Sequence, residues 1–300
     1  MHRIARILLG LAASLAIITG ARAQAPEQQA SAPHRVAQRV AFPSQDGKTT
    51  LVGYLFLPQN AAGRAPAVVM MHGRAGAYSS RANGVYDAST LSKRHQAWGE
   101  LWASLGYVAV LVDGFGPRGY PGGFGRHSYD NRPAELNEVT VRPLDAYGAL
   151  AWLRARADVD PARIGLQGWS NGGSATLATM ATDPAPGITP PDGKGFVAAL
   201  AFYPACGLKD QFESGYRPNG PVRVLMGRAD EEVSPKRCEA LVEGSRQQGG
   251  DITIRLYPGA THSFDDPSTK RQRVEANAAA TEDAVERAVR FFRQKLGGRG

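Results

Sequence analysis

The chain has 300 residues, 43% hydrophobic and 21% charged. These proportions exclude a mainly disordered, collagen-like or polytopic membrane protein. The formal charge is +8, but Arg3, Arg6 and Arg22 fall in an expected leader, and no Lys/Arg cluster interleaves with aromatic residues on a candidate groove-reading helix. Nucleic-acid binding therefore has no support beyond the basic balance, and this length is ordinary for one α/β domain.

Residues 1–23 read as an export signal. His2, Arg3 and Arg6 supply the positive start, Ile7 to Thr19 the apolar run, and Ala21-Arg22-Ala23 a small-x-small cleavage site. The apolar run is shorter than the ~20 residues that cross a bilayer, so cleavage is expected rather than anchoring. The product would be periplasmic or secreted, with no membrane association once the signal is removed. Residues 24–38, rich in Gln, Ala and Pro, read as a flexible tether, and residues 39–300 as one domain. Export implies an oxidising compartment, which makes the only two cysteines, Cys206 and Cys238, candidates for one disulfide. Two unpaired buried thiols are the alternative.

In chain order, strands are predicted at Val40 to Phe42, Leu51 to Leu57 and Ala67 to Met71, then a helix around Arg94 to Leu105. A strand at Tyr107 to Val112 precedes a long loop and a helix from about Glu138 to Arg156. A strand at Ile164 to Gly168 leads into a helix from Asn171. Strands follow at Phe196 to Phe202, Val222 to Met226 and Ile252 to Leu256, with helices at Pro235 to Gln247 and Thr281 to Leu296. Leading strands followed by repeated β-α alternation imply an α/β fold, with a mostly parallel central sheet and helices on both faces.

Gly168-Trp169-Ser170-Asn171-Gly172 is a G-x-S-x-G motif between an apolar strand and a helix, the setting in which a serine hydroxyl projects from a sharp turn. Gly168 and Gly172 relieve crowding in that turn, and the helix directs its free N–H groups toward the site. A glycine-rich turn with a capping Ser170 is the bland alternative. A serine nucleophile needs a base held by an acid, in chain order Ser, Asp or Glu, His. Asp230 follows the strand Val222 to Met226 and is preferred over Glu231 and Glu232, because it is nearest the strand end and shorter. Of six histidines, His262 alone follows both Ser170 and Asp230 and sits just after the last strand. Backbone N–H groups of Asn171 and of Arg74, in the His72-Gly73-Arg74 loop, are the expected oxyanion donors, with His72 structural.

Gly114 to Gly119 matches G-x-G-x-x-G, but Pro117, Pro121 and Gly122 prolong an irregular loop where a dinucleotide site needs a helix. The loop instead reads as a pocket rim carrying Phe115, Arg118, Tyr120, Phe124, Arg126 and Tyr129. No metal-binding motif occurs, and no cofactor is expected.

With Ser170, Asp230, His262 and the His72-Gly73 loop in place, the chain from about Arg39 to Leu296 resembles the dienelactone hydrolase family of α/β-hydrolases. Phe202-Tyr203-Pro204, Gly227 to Asp230 and Tyr257 to Phe264 support the likeness. The resemblance implies the α/β-hydrolase fold and hydrolysis of small-molecule esters or lactones. The family's namesake enzymes carry a cysteine nucleophile where this chain has Ser170, and its serine-bearing members are similar to general esterases. Trp169, shared with some polyester hydrolases, is expected with Phe115 and Arg118 at the substrate pocket. A prolyl-oligopeptidase-type peptidase and a non-catalytic binding protein of the same fold are the rival readings.

Overall fold

The computed structural model describes residues 37–59 and 63–297; the expected signal and nearly all of the tether lie outside the described residues. Eight strands among them form one sheet: β1 (Gln38–Pro43), β2 (Thr50–Phe56), β3 (Ala65–Met71), β4 (Val108–Asp113), β5 (Val159–Trp169), β6 (Ala199–Phe202), β7 (Val222–Gly227) and β8 (Ile252–Tyr257). Their order is β1-β2-β4-β3-β5-β6-β7-β8. The β1–β2 and β2–β4 pairs are antiparallel and the rest parallel. Six α-helices among the described residues accompany the sheet: α1 (Lys93–Ser104), α2 (Arg142–Arg154), α3 (Asn171–Met180), α4 (Pro235–Gln247), α5 (Thr269–Gln272) and α6 (Glu275–Leu296).

Strand β5 shows why both faces are covered. Side chains alternate across a strand, so Gly165, Gln167 and Trp169 share one face. A Cβ on Gly165 would meet Leu296 and Phe292 of α6, and Gln167 accepts a 2.8 Å hydrogen bond from the indole of Trp102 in α1. Trp102 in turn packs on Phe292, which places α1 and α6 together. Gly168 faces the other way, where a Cβ would meet Gly172 and Thr176 of α3. Central strand β3 is buried along its whole length, which accounts for its continuous apolar run.

The strand order reverses around β3, whose neighbours are β4 and β5. Ligands of open α/β sheets bind beyond the carboxyl ends of strands at such a reversal, and the loop after β3 and the turn after β5 flank this one. The G-x-G-x-x-G segment opens only a single 3-10 turn, Gly116–Arg118, and Pro121 and Gly122 beyond it prolong the loop.

Several boundaries differ from the sequence reading. Gln38 already pairs with Leu55 in β1, one residue inside the expected tether. Strand β5 starts at Val159, because Val159 pairs with Ala65 before a register shift. Helix α2 starts at Arg142 rather than Glu138, since Asn137 Oδ1 accepts from the Val139 and Thr140 N–H groups and closes a turn first. Helix α6 begins at Glu275, six residues early, and the fully buried Asn277 in its first turn binds Thr261 and the Arg271 carbonyl.

Cys206, just past β6, and Cys238, in α4, are joined by a disulfide with Cα atoms 5.0 Å apart. Closing a loop whose ends are separated by 32 positions in sequence contributes about 3–4 kcal/mol on a chain-entropy model. Intact mass of protein produced in an oxidising compartment, alkylated without reductant, should show no modified cysteine; two alkylated cysteines would contradict the bond.

His95 of α1 is buried against Trp169. Its Nδ1 lies 3.0 Å from the Ala77 carbonyl, which can only accept, so Nδ1 carries the hydrogen. Burial, aided by the Arg94 charge, pushes its pKa down to about 3. Burial likewise holds His72 well below the ordinary value, with Arg142 adding to the effect. Both residues stay neutral in the fold but take up a proton on unfolding once pH drops below about 6.5. The stability they supply is therefore present above that pH and lost as pH falls, at up to about 1.4 kcal/mol per pH unit for each. His95→Asn should flatten the acid limb of stability against pH by about that slope in urea titrations between pH 6 and 5. An unchanged slope would contradict the assignment.

Candidate active site

Ser170 sits between β5 and α3 at φ 52°, ψ −116°, a conformation that costs a non-glycine residue about 1–3 kcal/mol. Two backbones crowd this turn. A Cβ on Gly168 would lie 2.1 Å from the Gly172 carbonyl oxygen, and one on Gly172 would lie 2.1 Å from that of Met71. No side chain larger than hydrogen fits at either position. The turn is tied to the sheet by a 2.9 Å hydrogen bond from Ser170 N–H to the Phe202 carbonyl.

The loop after β8 brings His262 over the turn, and the loop after β7 brings Asp230 behind it. His262 Nδ1 is 2.8 Å from Asp230 Oδ2 and His262 Nε2 is 3.0 Å from Ser170 Oγ. A carboxylate can only accept, so Nδ1 carries the hydrogen and Nε2 offers its lone pair to the serine hydroxyl. The other Asp230 oxygen accepts from the N–H groups of Glu232 and Val233, each at 2.9 Å, which fixes the carboxylate. His262 is 2% exposed and its ring meets the edge of Tyr203 at 4.7 Å.

The two carboxylates passed over in favour of Asp230 also engage His262. Glu231 accepts from the His262 backbone N–H at 2.8 Å and from Arg271 at 3.1 Å. Glu232 lies with Oε2 3.8 Å from His262 Nε2, gripped by Arg74 through Nε and Nη2 at 2.8–3.0 Å and by Arg126 Nε at 2.9 Å.

Asn171 opens α3, so its backbone N–H has no partner within the helix. The Gly73 segment lies against the turn: a Cβ on Gly73 would be 3.3 Å from that of Ser170. His72 is fully buried, with Nδ1 on the Gly73 carbonyl and Nε2 accepting the Gly114 N–H; it shapes the loop, as expected. Arg142 was not evident from sequence. It is fully buried, and its Nη1 donates to both the His72 carbonyl, at 2.7 Å, and Asn171 Oδ1, at 2.6 Å. Burial lowers its pKa to about 10, opposed by Asp145 and Glu138, so it remains cationic at neutral pH.

Asp265 was missed as well. Its carboxylate accepts from the indoles of Trp98 at 3.0 Å and Trp169 at 2.8 Å and from the Tyr203 hydroxyl at 2.5 Å, with Arg94 3.5 Å away. It thereby joins the histidine loop to the residue before Ser170. The only sequence signal was an acid three positions after His262, shared in kind with Asp266.

A cavity of about 510 Å³ opens beside Ser170, lined among others by Arg74, Arg126, Tyr129, Arg132, Glu138, Asn171, Glu232 and Arg237. Arg126 and Tyr129 of the expected rim are there. Trp169, Phe115 and Arg118 are not, which corrects the sequence reading. Trp169 is completely buried because strand alternation turns it toward α1, away from the serine. Phe115 is also completely buried, edge-on to His72. Arg118 makes a two-pronged ion pair with buried Asp145 at 2.8 and 2.9 Å. Among the described residues, no group of three or more His, Cys, Asp or Glu is placed to hold a metal ion, and no helix is long and apolar enough to cross a membrane.

A model of the dienelactone hydrolase family matches residues 51–296. An uncharacterized protein of Mycobacterium tuberculosis is 29% identical over 273 residues, covering 87% of this chain and 85% of its own. Among solved structures, a thermophilic esterase from Thermogutta terrifontis, with propionate bound, superposes with TM-score 0.59 at 20% identity, over 90% of this chain and 98% of its own. A dienelactone hydrolase-like promiscuous phosphotriesterase from metagenomic libraries gives TM-score 0.62 at 18% identity, over 87% and 98%. These two neighbours share the α/β-hydrolase fold seen here, and the match over residues 51–296 places the chain in the dienelactone hydrolase family.

Proposed function

We propose that the protein is an exported serine hydrolase of carboxylic esters or lactones. The observation that carries this reading is the hydrogen-bonded line from Asp230 through His262 to Ser170, with Nε2 3.0 Å from Oγ. Ser170 Oγ attacks the carbonyl carbon while Nε2 takes its proton; the imidazolium then gives that proton to the leaving alcohol. Asp230 holds the tautomer and stabilises the cation. The backbone N–H groups of Asn171 and Arg74 receive the oxyanion, each worth about 10²–10³ in rate, and the buried cation of Arg142 holds both segments in register. Water then releases the acyl group.

The cavity suits small esters by its size, and the arginines among its lining residues suit substrates that carry polar or anionic groups. The esterase with propionate bound is consistent with that class. Export rests on the leader at residues 1–23 and agrees with the disulfide. Against the peptidase reading, the described residues all fall in one compact unit, which carries the eight-stranded sheet. Against the binding-protein reading, the three side chains keep working distances, and a binding site would not require them.

Ser170→Ala should reduce turnover of p-nitrophenyl acetate by at least ~10⁴-fold with an unchanged melting temperature. Purified variant retaining a tenth of wild-type activity would remove Ser170 from the mechanism.

A further inference from the structure

The acid loop presents a second carboxylate to the catalytic imidazole, on the side opposite Asp230. We propose that Glu232 is a catalytic residue of the second half-reaction, orienting the water that hydrolyses the acyl-enzyme. The proposal rests on the serine hydrolase reading.

Glu232 Oε2 is 3.8 Å from His262 Nε2, a gap that one water oxygen spans with two hydrogen bonds of ordinary length. While Ser170 is free, Nε2 is engaged by its hydroxyl. Acylation removes that hydrogen and leaves the Nε2 lone pair without its partner once the alcohol departs with the proton. A water entering the cavity, which Glu232 and Ser170 both line, then donates one hydrogen to Nε2 and the other to Oε2. Both hydrogens are placed, so a lone pair on the water oxygen is directed at the ester carbon.

The step balances. The water oxygen bonds to the carbonyl carbon as its first proton passes to Nε2. The tetrahedral intermediate collapses, the bond from carbon to Ser170 Oγ breaks, and Nε2 returns the proton to Oγ. The second hydrogen remains on the new carboxylic acid, so Glu232 takes no proton.

The surroundings of Glu232 suit an acceptor and not a base. Burial pushes its carboxyl up, but His262, Arg74 and Arg126 outweigh burial and hold it below the ordinary carboxylate range. The carboxylate therefore stays charged and weakly basic. The same guanidiniums immobilise it: Arg74 holds it by two nitrogens and is itself tied to the Phe124 carbonyl at 2.9 Å. Arg74 thus links the oxyanion loop to the water-holding carboxylate, a reason for arginine there that its backbone role does not supply.

The test compares wild type, Glu232→Gln and Glu232→Asp with p-nitrophenyl acetate, each normalised to active sites counted with an organophosphonate. Deacylation sets kcat where acyl-enzyme accumulates, whereas kcat/KM reports steps up to acylation. For Glu232→Gln, kcat should fall about 10- to 100-fold. Its kcat/KM should change less than about threefold, with a nitrophenolate burst approaching one equivalent and an acetyl adduct on Ser170. Glu232→Asp, which keeps the charge but withdraws it, should lie between the two. Equal falls in kcat and kcat/KM without a burst would assign Glu232 a structural role and overturn the proposal, as would unchanged kcat. Wild-type enzyme that forms no Ser170 adduct would overturn the hydrolase reading itself.

Discussion

The site depends on how closely three backbones approach at the end of β5. Strand β3, strand β5 and the first turn of α3 meet so tightly that Gly168 and Gly172 have no room for a Cβ. That contact holds Ser170 at a positive φ and lifts its hydroxyl clear of the sheet. It also sets the first turn of α3 beside the Gly73 loop, the juxtaposition that the proposed oxyanion site requires. The cost of the strained serine, about 1–3 kcal/mol, is met by the surrounding core and by the hydrogen bond to Phe202.

Two buried charges keep this arrangement in register. Asp265 gathers Trp98, Trp169 and Tyr203, linking α1, the turn before Ser170, the end of β6 and the histidine loop. Arg142 ties the His72 carbonyl to the Asn171 side chain, and so the loop after β3 to the start of α3. Removing one partner of such a buried polar cluster leaves the others unsatisfied, which costs more than the hydrogen bond contributes. The acid loop adds a third constraint, since three consecutive carboxylates approach His262 at its Nδ1, its backbone N–H and its Nε2.

The mostly parallel sheet was legible because apolar strands alternate with helical patterns, and the Ser170, Asp230, His262 constellation because each residue lies just past a strand end, where turn chemistry is a strong local signal; the reversal around β3 was not, since strand order is set by pairing between distant segments. Asp265 and Arg142 were not legible: their partners are distant in the chain, and a single Arg or Asp in a polar segment looks solvated. The pocket assignment failed for a different reason. Trp169 precedes Ser170 by one residue, and strand alternation places it on the opposite face, so nearness in sequence meant separation in space. Phe115 and Arg118 sit where the loop first leaves β4 and still belong to the packed body. The rim begins only near Arg126.

Reaction with an organophosphonate, followed by peptide mapping of the labelled protein, tests most directly whether Ser170 is an activated nucleophile. The geometry predicts one equivalent of covalent adduct, on Ser170 alone, and a rate of labelling that collapses in His262→Ala. An adduct on another residue, or labelling of Ser170 at the same rate without the imidazole, would contradict the account.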